Sequence, residues 1–456
     1  MRRVPGPRRA PLRVTIVVTA AGIIAGGCSA GAGTASTATA ASSHCPAPHD
    51  AAALGATGLE RAYGVPGPTG KGPAGTGAVI AWVMPYLSPD LRHDVGVYSA
   101  RYHLPAPEIT MVDWHNAPPA DKSDPWQAQA IEEGTADAEM AHAMAPGARL
   151  VYVQTPAAPA FTSTSVADGT WAGLNLTTAL AWTVTHVHPD VISLSEAIPE
   201  PEAPTLAAQY LHGASPAGPL MAARSGLKAA AAAHVTVVAA SSDTGGGQPI
   251  GKGGRVSGPA VAWPASDPLV TAVGGTWLHA TAAGARTGPG TAWTATCGMQ
   301  AGGGGRSAAF SCPAWQDPAA AVTGSARGVP DISMSASPRT PSWVYITGNT
   351  LPGASHGWNP AWGTSLATPL FAGIVADAAA LAGHPLGLLG PALYGLHGPA
   401  DGLADVTSGT TSIPGTPGWP ARTGYDLATG IGTVTSAAQL VRELAATATG
   451  HTGGSR

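Results

Sequence analysis

Along this chain, short continuous apolar runs alternate with longer stretches whose apolar positions recur every three or four residues. "GAVIAWVM" (77–84) has the length and apolarity of a buried strand, and "PDLRHDVGVYSARY" (89–102) after it has helical spacing. A long helical pattern over 126–144 is stopped by "APG" and followed by the strand-like "ARLVYVQ" (148–154). Next come a strand "DVISLS" (190–195), a helix "LMAARSGLKAAAAA" (220–233), and the strands "VTVVAAS" (235–241) and "LVTAVGG" (269–275). Apolar strands separated by helices predict an α/β three-layer fold with a mainly parallel central sheet flanked by helices. In such sheets functional residues gather at the carboxyl ends of strands, which singles out Asp243, placed directly after "VTVVAAS".

The first 27 residues break this pattern. Arg2, Arg3, Arg8, Arg9 and Arg13 precede the apolar run "VTIVVTAAGII" and the small residues "AGGC", the layout of an export signal. The run is about half of the roughly 20 residues a membrane-spanning helix needs. "AGGC" resembles a bacterial lipobox with Ala25 where a larger aliphatic residue is usual; cleavage there would make Cys28 the lipidated first residue of a surface lipoprotein, and ordinary cleavage would release a secreted protein. Residues 28–50 are small and polar, a flexible tether. One domain is expected over 51–445, with a disordered tail over 446–456.

Composition narrows the function. Of 456 residues only 11% are charged, and the formal net charge of -4 leaves no basic stripe for nucleic acid. Any membrane attachment would run through the N-terminal lipid alone, and a monomer is expected. Export permits disulfides. Cys297 and Cys312 bracket the glycine-rich "CGMQAGGGGRSAAFSC" and form the expected pair, a closure that contributes roughly 3 kcal/mol.

With so few ionisable groups, acids inside apolar segments stand out. "EEGTADAEMAHAMAPGA" places Glu133 and Asp137 four apart, on one face of the expected helix. Its alanines and methionines imply burial, and a buried pair of acids titrates as a unit. Farther on, "WGTSLATPLFAG" sets Ser365 at the start of an apolar helix, where the positive end of the dipole and unpaired N–H groups favour a nucleophile. Pro369 lacks the N–H that would meet the carbonyl of Ser365. A lone Gly-Thr-Ser is commonly no more than a helix cap.

"GTSLATP" resembles the serine motif shared by subtilases and sedolisins. The subtilase histidine segment is missing, because every His-Gly pair follows "APGA". Glu133, Asp137, Glu139 and "AHAMAPGA", with Asp243 in "SSDTGG" and the blocks "VAWPASDPLVTAVGGT", "GGGGRSAAFSCPAWQ" and "RGVPDIS", resemble instead the sedolisins, the serine-carboxyl peptidases, across most of the chain. Glu132 is out of register, and Ser242 stands where glycine is usual.

The resemblance implies a subtilisin-like fold and hydrolysis of polypeptide substrates through a Ser365 acyl-enzyme. Glu133 would be the base, Asp137 its orienting partner and protonated Asp243 the oxyanion donor. A carboxyl group with a pKa near 4 accepts a proton in acid, where an imidazole is already charged. "LADVTSG" and "RTGYDLATGIG" resemble the family's calcium loops, implying one structural Ca2+ on the carboxylates of Asp405 and Asp426 and the carbonyls of Val406, Arg422 and Gly424. Three departures stand beside this. Only a short tether separates Cys28 from the domain, where precursors of the family carry a large pro-domain. Glu196 and Ala197 replace the usual aromatic-glycine pair in "SLSEAIPE", and Met84 replaces an acid in "IAWVMPYLSP". The competing expectation is a catalytically silent surface lipoprotein that uses the same fold to bind.

Overall fold

The strand foreseen at residues 77–84 runs from Val79 to Pro85 and lies inside the sheet, paired on both sides, in the computed structural model. The structure describes residues 53–68, 70, 72–86, 88–115, 125–155, 166–196, 198–200, 224–249, 256–295, 300–347, 356–396 and 398–450. The signal segment, Cys28, the tether and Cys297 lie outside these, and with Cys297 the expected disulfide. In chain order the elements are α1 (Ala56–Tyr63), β1 (Val79–Pro85), α2 (Leu91–Tyr102), β2 (Glu108–Asp113), α3 (Pro125–Met144), β3 (Arg149–Thr155), α4 (Val166–His186) and β4 (Val191–Leu194). There follow α5 (Ser225–Ala232), β5 (Thr236–Ala240), β6 (Thr271–Trp277), β7 (Ile332–Ser335), β8 (Ser342–Ile346), β9 (Gly357–Ala361), α6 (Thr364–Ala382), β10 (Leu403–Ala404), β11 (Thr433–Val434) and α7 (Ala437–Gly450).

The described sheet has ten strands, nine of them in the order β10-β11-β7-β6-β5-β4-β1-β3-β2. Every neighbouring pair from β11 to β2 is parallel, and β10 pairs antiparallel with β11. The tenth strand, Thr291–Ala292, runs antiparallel beside β6. Along β1 the side chains alternate between two cores. Ile80, Trp82 and Met84 face the layer of α1, α2, α3, α6 and α7, while Ala81 and Val83 face that of α4 and α5. Burial on both faces explains why the central strands read as continuous apolar runs.

Small residues let the first layer close. A Cβ on Gly373 of α6 would lie 2.5 Å from the Cβ of Met144 on α3, so the two helices approach to backbone contact. A Cβ on Gly134 would lie 2.7 Å from the ring of Tyr152, which brings α3 down onto β3. Helix α6 is long and apolar enough to span a membrane, yet it is the core helix of this layer, with Phe371, Ile374 and Val375 fully buried. At the C-terminus α7 continues to Gly450, so residues 446–450 are helical where a tail was expected.

Candidate active site

Three elements deliver the acids and the serine. Helix α3 carries Glu133 and Asp137, the loop after β5 carries Asp243, and the first turn of α6 carries Ser365. Their exposures are 0%, 2%, 5% and 0%. The i, i+4 pair is thus a buried pair and not a solvated acidic face.

Gly363 is the pivot. Its φ of 130° belongs to glycine. A Cβ there would sit 2.7 Å from Asp243 Oδ2 and 3.2 Å from Ser365 Oγ, so both atoms border the space that the missing side chain leaves. Asp243 is held in place by α6 itself: the Thr364 N–H and Oγ1 both donate to Asp243 Oδ1, at 2.8 and 2.7 Å. The other oxygen, Oδ2, is buried with no hydrogen-bond partner. Ser242 explains why glycine is usual before this aspartate. Its φ is 97°, a backbone that costs about 1–3 kcal/mol for a residue with a side chain. Its hydroxyl pairs with Thr244 Oγ1 at 3.0 Å.

The carbonyl left open by Pro369 finds a partner outside the helix. Ser195 Oγ, just past the carboxyl end of β4, donates to the carbonyl oxygen of Ser365 at 3.2 Å. One turn earlier Thr368 Oγ1 closes back on Thr364 O at 2.8 Å. Ser195 also acts on Asp137, so this hydroxyl stands between the serine's own backbone and the acid pair. Sequence reasoning missed it, since a serine at the end of a strand carries no distinctive signal.

Electrostatically the site is a cluster of acids with no cation among the described residues that bear on it. Burial pushes the Glu133 carboxyl well above the ordinary carboxylate range, and Asp137, Glu196 and Asp243 add to the rise; the Ser365 hydroxyl works against it. Burial likewise raises Asp137, with Ser195 opposing. The Ser365 hydroxyl thus bears on Glu133 and the Ser195 hydroxyl on Asp137, each favouring the ionised form of its acid. Asp243 is raised to about 6 by burial, against the two Thr364 hydrogen bonds. A Glu133 that ionises near 4 is therefore not what this environment provides, because desolvation and neighbouring acids both favour its proton. Among the described residues, no histidine is one of the groups that bear on these acids. His142 of α3 is fully buried with Nε2 3.0 Å from Pro105 O, and burial lowers its pKa.

Glu196 emerges as a further member of the cluster. It is partly exposed, raised to about 7 by burial, and couples to Glu133, Asp137 and Tyr152. Its sequence signal was the departure from an aromatic residue. Glu139, by contrast, serves the fold: its Oε2 accepts the Tyr345 N–H at 3.0 Å and ties α3 to β8.

At the far edge of the sheet, Asp405 follows β10, and residues 422–426 precede β11. Asp405 Oδ2 accepts the Gly424 N–H at 2.7 Å, while its Oδ1 is buried with no partner. The carbonyls of Val406, Arg422 and Gly424 accept no hydrogen bond among the described residues. Asp426 Oδ2 takes the Arg422 N–H at 2.6 Å, and Oδ1 takes the N–H groups of Ala428 and Thr429 at 3.0 and 2.8 Å. An orphaned carboxylate oxygen and three open carbonyls are the oxygen-rich set that suits a hard cation such as calcium.

No family model matches the chain. Kumamolisin of Bacillus sp. (strain MN-32) is 33% identical over 344 residues, which are 74% of this chain and 54% of that protein. Sedolisin of Pseudomonas sp. (strain 101) is 36% identical over 179 residues, 38% of this chain and 29% of that protein. The chain thus spans about half the length of kumamolisin and less of sedolisin. Among solved structures, Pseudomonas sedolisin, a serine-carboxyl proteinase complexed with two molecules of pseudo-iodotyrostatin, superposes with a TM-score of 0.68 and 26% identity. That match covers 89% of this chain and 100% of the other. The fold, the order of its blocks and these similarities together make the chain a member of the sedolisin family, with a subtilisin-like fold.

Proposed function

We propose that this chain is a serine-type endopeptidase of the serine-carboxyl class, acting on polypeptides in mildly acidic solution. The observation that carries this reading is the convergence of Asp243 Oδ2 and Ser365 Oγ on the open side of Gly363, beside a buried Glu133–Asp137 pair.

Ser365 Oγ attacks the scissile carbonyl carbon as its proton passes to Glu133, which Asp137 orients. The carbonyl oxygen, now an oxyanion, receives the hydrogen bond of protonated Asp243 from Oδ2, the oxygen left without a partner. Collapse breaks the C–N bond, and Glu133 returns its proton to the leaving amine. Water then releases the acyl group by the reverse proton route. The working form carries one negative charge on the cluster, resting on the Glu133–Asp137 pair, and keeps the Asp243 proton. That form is gained at the first ionisation of the cluster and lost at the second, so the pH profile is a bell. Loss of the Asp243 proton, which burial holds above the ordinary carboxylate range, ends activity on the alkaline side.

Incubation of the full chain with denatured casein between pH 3 and 8 tests this. Cleavage is expected in the acidic range, with little at pH 8 and none in Ser365→Ala. A maximum at pH 8, or turnover retained without the Ser365 hydroxyl, overturns it.

A structural calcium ion held by Asp405, Asp426 and the carbonyls of Val406, Arg422 and Gly424 is part of this reading. When bound it supplies charge that locks the edge loops together. The N-terminal arginines and apolar run support export, as a surface lipoprotein on Cys28 or in released form; the mass of the mature N-terminus distinguishes the two.

A further inference from the structure

Away from the acid cluster, α6 and α7 and the segment leading into β1 line a cavity of about 420 Å³. Asp377, Ala380 and Leu381 line it from α6, and Ala438, Val441 and Arg442 from α7, each set at i, i+3 and i+4 on one helix face. Pro66, Gly67 and Pro73 form the third wall. The lining is mostly apolar, and Leu381, 51% exposed, is the exposed large hydrophobic residue of the described chain.

Asp377 is anomalous there. It is only 5% exposed, and both carboxyl oxygens are buried without a hydrogen-bond partner. An acid so placed ordinarily has a partner, because a buried polar group left uncompensated loses its hydration with nothing in return. The peptidase reading has no use for it, since it lies three turns along α6 from Ser365. Arg442, at the mouth, is exposed and makes no ion pair among the described residues. The pocket therefore offers a buried acceptor, a cation at its rim and an apolar wall between them.

We propose that this pocket binds a small zwitterion with an apolar body, of the class of an apolar dipeptide, its ammonium group on Asp377 and its carboxylate on Arg442. The volume is within the roughly 300–1,000 Å³ of small-molecule sites. An ammonium group satisfies the orphaned oxygens and compensates the charge that burial disfavours. The burial that lifts the Asp377 carboxyl well above its ordinary range is then opposed by an adjacent cation.

Calorimetric titration of the full chain in a Ser365→Ala background, which keeps the probe intact, tests the assignment with leucyl-leucine. Saturable binding is expected, with loss on N-acetylation of the probe. A charge-assisted hydrogen bond accounts for about a tenfold to hundredfold weakening in Asp377→Asn and about tenfold in Arg442→Gln or with the C-terminal amide. Asp377→Asn in the wild-type background should leave casein cleavage unchanged, which separates this pocket from the acid cluster. The proposal is overturned by absence of binding at millimolar leucyl-leucine, by equal affinity for the acetylated probe, or by equal affinity in Asp377→Asn.

Discussion

Two buried ionic clusters in this molecule are built on opposite rules. Arg327 and Asp331 compensate each other's charge, with Arg327 Nε alone of their side-chain polar atoms left without a partner. The guanidinium donates to both carboxylate oxygens at 2.7 and 2.6 Å, Ala272 N–H and Tyr394 Oη add hydrogen bonds at 2.7 and 2.8 Å, and Trp315 lies against the guanidinium. Glu133, Asp137 and Asp243 are equally buried but have no cation among the described residues, and their pKa values rise where that of Arg327 rises too, for the opposite reason: each acid is pushed to its neutral form, while Asp331 holds the arginine charged against desolvation. A paired cluster holds strands together and is chemically inert. An unpaired one costs stability and keeps protons that can move.

The sharpest way to break this comparison is Ser365→Ala. It should reduce peptide cleavage by about 10⁴-fold or more and leave thermal unfolding almost unchanged; steady-state kinetics and a melting curve measure both. Asp331→Ala should do the reverse. Leaving Arg327 buried and unpaired should destabilise the fold by about 3–5 kcal/mol, read by denaturant titration, while the residual folded enzyme keeps the shape of its pH profile. A profile displaced by this substitution would contradict the separation of roles.

Asp243 tests both properties at once. Asp243→Ala should lower turnover by about 100- to 1000-fold at the optimum. Its folded pKa stands above the ordinary 3.8, at about 6, so the folded state prefers its proton. The associated stability is fully present below pH 3.8 and is lost as pH rises through about 6, about 3 kcal/mol in all. Asp243→Asn has no such loss and should melt higher than wild type at pH 7 but not at pH 3. Chelation should lower the melting temperature of the wild-type chain and have less effect in Asp405→Ala, an intermediate effect with calcium add-back as its control. Glu196→Gln is the mildest change. Glu196 is protonated below about 7, so turnover at pH 4 should change by less than about threefold, with any difference confined to the alkaline limb.

Much of the fold was legible in the residues. The apolar runs at 77–84, 148–154, 190–195 and 235–241 became β1, β3, β4 and β5 because strands buried on both faces need no alternation. Helix α4 was not foreseen. Its "VADGTWAGLNLTTALAWTVTH" mixes glycine and β-branched residues that weaken a helical signal, and packing overrides them. Edge strand β2 escaped as well, since "EITMVD" is half polar. In the site, the spacing of Glu133 and Asp137 and the gap at Pro369 could be read directly. Ser195, which fills that gap, and Glu196, which joins the acids, could not, because their partners lie far away in the chain.

The sequence by itself determined the alternation of strand and helix, the i, i+4 placement of two acids, and the serine at the start of α6. These depend on neighbours within a few residues, where backbone geometry alone fixes what can meet. Tertiary structure decided how far the acids are desolvated, which oxygen of Asp243 is left free beside Gly363, and which hydroxyl answers the Ser365 carbonyl. Those outcomes depend on the excluded water and the dipoles that distant segments bring together, and neither is encoded in any one stretch of the chain.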